Sequence, residues 1–150
     1  MIPTPVFHAA AAPTTHFGAL RAGYRTFVMR RFDMKLFLET IEKYNATDLT
    51  LVPPIALAIL MSPYSKSRPF LKKLKTGLCG AAPLGKDVQA RFHKLMADDA
   101  PLTQVWGMTE TSCVATCFPY PEQDDTGSVG RLIPNLEAKY VLTQFEAAEC

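Results

Sequence analysis

The chain has 150 residues, of which 48% are hydrophobic and 20% are charged, and its formal net charge is +2. This length suffices for one modest domain, and the composition is that of an ordinary globular protein. The near-neutral charge offers no basic field for nucleic acid, and the longest apolar run, residues 55–61, is too short to cross a bilayer.

The ends of the chain and its cysteines bear on location. No basic segment followed by an apolar core opens the sequence, so no secretory signal is visible. The four cysteines, at 79, 113, 117 and 150, fit no zinc-binding spacing and read as free thiols. We therefore expect a cytoplasmic protein.

Strand and helix patterns alternate from the first third of the chain onward. Residues 25–30 read as a buried strand. Asp33 then stands where a helix cap is needed, because apolar residues recur after it at helical spacing, at Met34, Phe37, Leu38 and Ile41. Residues 48–52 alternate as a strand that must stop at Pro53, and Pro54 can begin the next helix.

The second half continues the alternation. Residues 74–81 and 101–106 are predicted strands, and the helix between them has one apolar face. A further strand is predicted over 136–142. Strands that alternate with helices predict an α/β fold of layered βαβ units with a mostly parallel sheet.

Three unusual stretches follow predicted strands, at residues 7–8, 79–85 and 106–110. Ligands of parallel sheets collect beyond the carboxyl ends of the strands, so these stretches are expected around one cleft. The glycine and alanines at 80–82 would let a flat ring lie against the backbone, although a tight strand-to-helix turn is the favoured explanation of this stretch taken alone.

Individual side chains in these stretches have similar alternatives. Thr109 could donate a hydrogen bond to a phosphate oxygen, and Glu110 offers the hard oxygen that Mg²⁺ prefers. The same pair could instead be a helix cap with an acidic first turn. Trp106 is a candidate stacking face or a core residue, and a lone histidine such as His8 is more often structural than catalytic.

Four stretches taken together, PVFHAAAAP, LTLVPPIALAI, LCGAAPLGKD and QVWGMTETS, resemble the adenylate-forming (AMP-binding) superfamily of acyl-CoA synthetases in order and spacing. The chain is most similar to the 4-coumarate–CoA ligase group and its fungal aryl- and acyl-CoA ligase cousins. The resemblance implies part of the large N-terminal domain of such an enzyme. It also implies a two-step reaction, in which a carboxylic acid and ATP give an acyl-adenylate and coenzyme A thiol then displaces AMP.

The resemblance implies roles for named residues. Glu110 would hold Mg²⁺, Thr109 would contact phosphate, and His8 would orient the acid at the pocket mouth. The remaining implied contacts are to the adenine of ATP or AMP, from Gly80, Ala81, Ala82, Pro83, Trp106 and Gly107, and to the aryl or acyl group, from Val105, Cys113 and Val114. Val105 replaces a glycine of hydroxycinnamate-specific relatives, which implies a narrower pocket.

The resemblance covers part of the family's length only. We expect a partial adenylation domain over 1–142 and a divergent tail over 143–150, cut from a larger enzyme that could be peroxisomal, although this chain carries no peroxisomal signal. The pyrophosphate loop and catalytic lysine of the family have no counterpart here, so the chain alone is expected to be inactive and to self-associate through exposed edges. The alternative is a non-catalytic remnant that binds nucleotide weakly or acts as an interaction module.

Overall fold

A computed structural model describes residues 1–141 of the chain and contains a three-stranded parallel sheet. Its strands are β1 (Asp48–Leu51), β2 (Thr76–Cys79) and β3 (Leu102–Gln104), in the order β1-β2-β3. Leu51 pairs with Cys79, and Cys79 pairs with Gln104, so the three strands end at the same edge. The mixed α/β fold with a parallel sheet is confirmed.

A second, antiparallel sheet follows directly, and the sequence did not predict it. It consists of β4 (Trp106–Met108), β5 (Cys113–Cys117) and β6 (Arg131–Leu132), in the order β4-β5-β6. A 3₁₀ turn, Thr109–Thr111, joins β4 to β5. The pairing of these two strands shifts register between Trp106 and Gly107, which marks a β-bulge.

The helices are short, and the predicted caps begin two of them. Asp33 accepts a hydrogen bond from the Leu36 backbone N–H at 2.8 Å, which satisfies one of the donors that a helix start leaves unpaired. A proline opens α3, where the missing N–H removes no helical bond. The helices are α1 (Ala19–Ala22), preceded by a π-helical turn (Pro13–Gly18), α2 (Met34–Lys43), α3 (Pro53–Met61), α4 (Pro63–Ser67) and α5 (Lys86–His93).

One hydrophobic core joins the parallel strands to three helices. Phe37, Leu38 and Ile41 project from α2 as their spacing predicts, and all three are buried. Phe92 of α5 and Met96 just after it are fully buried in the same cluster, with β-strand residues and apolar residues of α3. The core therefore fixes the parallel sheet and leaves its carboxyl edge to the connecting segments.

Three predicted strands differ from the structure. Residues 25–30 form only a single bridge, between Val28 and Ile2, and Val28 is half exposed. Residues 136–141 form no strand within the described chain, and residue 142 lies outside the described residues, as does the predicted tail 143–150. The strand predicted over 101–106 divides at Val105. Residues 102–104 are buried in the parallel sheet, whereas residues 106–108 are exposed in the antiparallel sheet.

In residues 1–141, no helix has both the length and the apolar character that a bilayer crossing requires.

Candidate functional site

Two of the predicted stretches meet at the carboxyl edge of the parallel sheet. The Gly80 N–H donates to the Leu51 carbonyl at 3.2 Å, and the Val105 N–H donates to the Cys79 carbonyl at 2.9 Å, so each strand is extended by one bond before its chain leaves the sheet. A methyl group added to Gly80 would lie 2.8 Å from Val105 Cγ2 and 3.1 Å from the Val105 carbonyl oxygen. Gly80 is therefore required by the neighbouring strand end.

Beyond Gly80 the chain exposes its backbone. Ala81 has a φ of +72°, a left-handed conformation that costs a non-glycine residue about 1–2 kcal/mol. Ala81, Ala82 and Pro83 are all exposed, and their small side chains leave the peptide planes uncovered. These residues are accessible to a ligand, and their contact with a flat ring stays a prediction.

Trp106 and Gly107 have different surroundings. The Trp106 side chain is 46% exposed and follows Val105 directly. Gly107 faces the backbone carbonyl of Cys113, and any side chain at 107 would overlap that carbonyl. The space beside Gly107 is therefore occupied by the backbone of β5 and not open to a ligand. Of Trp106 and Gly107, Trp106 is the residue with an accessible side chain.

The 3₁₀ turn gives different roles to the polar side chains of the QVWGMTETS stretch. The Thr111 hydroxyl accepts from the Met108 N–H at 3.2 Å and donates to the Met108 carbonyl at 3.0 Å, so it closes the turn. Thr109 and Glu110 are exposed, and within residues 1–141 neither side chain has a hydrogen-bond or ion-pair partner. The turn therefore presents one hydroxyl and one carboxylate that are available to a ligand.

The metal prediction is compatible with this arrangement. The described residues contain no group of three or more His, Cys, Asp or Glu side chains that could enclose an ion. Mg²⁺ commonly binds through one or two carboxylates and completes its shell with phosphate oxygens and water. Glu110 fits the part of a single protein ligand in such a shell.

The predicted acid-pocket residues lie on two elements. Val105 is half-buried between the two sheets, whereas Cys113 and Val114, also half-buried, begin β5. Burial raises the pKa of the Cys113 thiol, and a hydrogen bond involving the Val114 backbone partly opposes this. Val114 pairs with Gly107, which brings the start of β5 beside the Trp106–Gly107 pair.

His8 is not joined to this group by any contact described for residues 1–141. Its backbone bonds to Pro5, Ala11 and Ala12, and its Nδ1 accepts from the Ala10 N–H at 3.1 Å. The side chain is exposed. The role of His8 at an acid pocket stays a prediction.

Two buried glutamines link the site to its surroundings, and the sequence analysis did not identify them. Gln104 Oε1 accepts from the Leu84 N–H at 2.8 Å, and Gln104 Nε2 donates to the Leu84 carbonyl at 2.9 Å and to Gln89 Oε1 at 2.9 Å. Gln89 Nε2 donates to the carbonyls of Leu102 at 2.9 Å and Asp124 at 2.8 Å. The signal was present, since Gln89 precedes Phe92 and Met96 on the apolar face of α5.

A cavity of about 540 Å³ lies on the far side of α5. It is lined by Lys86, Gln89, Ala90, His93, Lys94, Leu102, Gln123, Asp124 and Asp125, none of which was a predicted site residue. Thr109 and Glu110 of the 3₁₀ turn do not line this cavity.

The fold and the segments at its sheet edge define a partial α/β domain of the kind that forms the N-terminal domain of adenylate-forming enzymes. The AMP-binding enzyme family matches residues 1–145. The chain belongs to the AMP-binding enzyme family.

Individual relatives agree with this assignment. A phenylacetyl-CoA ligase of Aspergillus niger is 59% identical over 143 residues, which are 93% of this chain and 26% of the ligase. A 4-coumarate–CoA ligase of Petroselinum crispum is 38% identical over 145 residues, 91% of this chain and 26% of that ligase. The chain thus spans about a quarter of the length of these relatives.

A solved structure has the same fold. The O-succinylbenzoate coenzyme A synthetase of Bacillus subtilis in complex with AMP superposes with a TM-score of 0.68 at 21% identity, over 88% of this chain and 32% of the synthetase.

Proposed function

We propose that this chain is the nucleotide-contacting part of an ATP-dependent acyl-CoA ligase. The observation that carries the proposal is the exposed Thr109–Glu110 turn that follows β4, together with the exposed residues 80–83 that follow β2. Family membership supports it, because the relatives named above are CoA ligases.

The proposed reaction has two steps. A carboxylate oxygen of the acid attacks the α-phosphorus of ATP, and the bond to pyrophosphate breaks to leave an acyl-adenylate. The coenzyme A thiolate then attacks the acyl carbon, and AMP departs with the electron pair of the broken C–O bond. Such a reaction between anions depends on groups that position them and stabilise developing charge.

Each residue has one task in this proposal. Residues 80–83 and the exposed face of Trp106 enclose the adenine, and the Thr109 hydroxyl donates to a phosphate oxygen. Glu110 holds Mg²⁺, which when bound neutralises phosphate charge. His8 orients the acid, and Val105, Cys113 and Val114 line the pocket for its side chain.

We further propose that the acid is a small aryl or arylacetic acid. The phenylacetyl-CoA ligase is 59% identical to this chain, compared with 38% for the 4-coumarate–CoA ligase. Val105 also packs against Gly80, and its branched side chain leaves less room than a glycine would. Phenylacetate should therefore be preferred to 4-coumarate.

The test is carboxylate-dependent exchange of labelled pyrophosphate into ATP. We expect no exchange from the 150 residues alone and exchange when they are joined to the flanking segments of a full-length relative. Glu110→Ala in the joined protein should lower exchange about 100-fold, equivalent to about 2.7 kcal/mol. Glu137→Ala is the matched control, since Glu137 is an exposed glutamate outside the site.

The outcomes separate the candidate functions. Absence of exchange from the joined protein with phenylacetate, 4-coumarate and medium-chain acids would contradict the ligase proposal and favour a non-catalytic binding module. An equal loss of pyrophosphate exchange in the Glu110→Ala and Glu137→Ala variants would show that Glu110 has no specific role in the site.

A further inference from the structure

The Gln104 side chain joins the two halves of the candidate nucleotide site. It immediately precedes Val105 and Trp106, and its amide bonds to both the N–H and the carbonyl of Leu84, as a neighbouring strand would. Leu84 follows Pro83 directly, so this pair of bonds sets the distance between the 80–83 stretch and the end of β3. Gln104 is 3% exposed, so water cannot replace these bonds readily.

Leu84 and Gln89 together fix the orientation of the Gln104 amide. An amide group has nearly the same shape when its oxygen and nitrogen exchange places, so only its partners decide between the two orientations. Gln89 Oε1 accepts the second hydrogen of Gln104 Nε2, and the reversed orientation would set two oxygens against each other. Gln89 is itself held by the carbonyls of Leu102 and Asp124, which take both of its N–H groups.

We propose that Gln89 is a positioning residue for nucleotide binding, acting through Gln104 on the 80–84 stretch. The inference rests on the proposed function. Gln89 itself lies on α5, outside the predicted contacts, and makes none of them. Its second bond, to the Asp124 carbonyl, also connects the stretch to the loop before β6, so a displacement of this loop is passed to Leu84 through two amide groups.

The first test measures hydrogen exchange and requires no activity. Gln89→Met keeps the side-chain length and removes the amide. In the joined protein described above we expect the Leu84 N–H to exchange at least about tenfold faster in this variant than in the unaltered protein, since the buried Gln104 amide loses the bond to Gln89 that holds it in place. Phe92→Leu is the control for general destabilisation, because Phe92 packs in the core from the same helix and does not contact this network through hydrogen bonds.

Comparison at matched stability decides the outcome. At temperatures well below both melting transitions, the protection of the Leu84 N–H from hydrogen exchange should decrease in Gln89→Met. It should stay unchanged in Phe92→Leu. Equal behaviour of the two variants would overturn the proposal. Gln104→Met, which removes the two Leu84 bonds themselves, should raise the exchange rate at least as much. Gln89→Met should add little in the Gln104→Met background because the residues act in series, and additive effects would also contradict the proposal.

The second test is kinetic and uses the joined protein described above. Gln89→Met should raise the KM for ATP about tenfold and leave the KM for phenylacetate within about twofold. The KM for ATP could stay unchanged in Gln89→Met although the Leu84 N–H exchanges faster. Gln89 would then position residues 80–84 without affecting ATP binding, and the proposal would be overturned. If the unaltered joined protein does not exchange labelled pyrophosphate into ATP, the ligase proposal fails. The hydrogen-exchange comparison still decides whether Gln89 positions residues 80–84.

Discussion

At the scale of single residues, different physical reasons explain the small residues within the stretch 80–83. Gly80 is small because Val105 of the adjacent strand end occupies the space that a side chain would need. Ala81 is held at a φ of +72°, where glycine would be less strained. Strain of this kind is concentrated at functional sites, and here it lies in the stretch that we propose contacts adenine.

Gly80→Ala should therefore destabilise the protein by about 1–3 kcal/mol, the usual cost of overpacking a fixed site. The carbonyl oxygen of Val105 is one of the two atoms it meets, and backbone cannot move aside as a side chain can. Gly85→Ala is the matched control, because no atom lies within 4 Å of the position and φ is −60°. Urea denaturation measures both, and an equal, small loss in the two variants would contradict the account.

At the scale of elements, the helices and the parallel strands could be predicted from residues that are close together in the sequence. The Asp33 cap and the apolar spacing after it specify α2, and Pro53 ends β1 where the sequence indicates. These signals are local, so they are readable without the fold. Residues 25–30 were misread because an apolar run cannot say whether a partner strand exists, and only Ile2 pairs with Val28.

The second sheet could not be predicted for a related reason. Its first strand continues β3 after a single residue, and the change of direction depends on a bulge at Gly107 packed against Cys113, six residues later. The sequence motif predicted roles for Thr109 and Glu110, which stay predictions, but it could not show that Thr111 closes the turn. The glutamine network was also missed, because its bonds join residues 13 to 35 positions apart.

The loop before β6 gives a prediction about pH. Desolvation alone would raise the pKa of Asp124, but hydrogen bonds from Thr126, Gly127 and Ser128 to its carboxylate hold the pKa below its usual range. A carboxyl with a lowered folded-state pKa contributes stability above its unfolded pKa, near 3.9, and loses it as the pH falls through the folded value. Asp124→Asn should therefore lower the melting temperature at pH 7 and have a shrinking effect below about pH 4.

Asp125→Asn serves as the control for the loss of one negative charge in the same loop. Its melting temperature should follow that of the unaltered chain at both pH values. A deficit of Asp124→Asn that is constant from pH 7 to pH 3 would show that the charged form of Asp124 is not what stabilises the turn.

At the scale of the whole molecule, several large apolar side chains are exposed that have no part in the proposed nucleotide contacts. Phe7 and Leu20 are each 85% exposed, Phe17 is 73% exposed and Met61 is 75% exposed. Phe17 and Leu20 stand three residues apart in the continuous helical segment 13–22. Both outer strands of the parallel sheet, β1 and β3, also have no further strand beside them within residues 1–141.

The 150-residue chain should consequently self-associate when it is produced alone. Exposed apolar patches and unpaired strand edges are the two surfaces that most often drive association, and the net charge of +2 provides little repulsion between copies. Light scattering over a concentration series should give an apparent mass that rises with concentration. Phe17→Ser with Leu20→Ser should lower that mass toward the monomer, whereas Arg21→Ser, an exposed polar change on the same segment, should not. A monodisperse monomer with one cooperative melting transition would show instead that these residues form an independent domain whose apolar surface is tolerated in water.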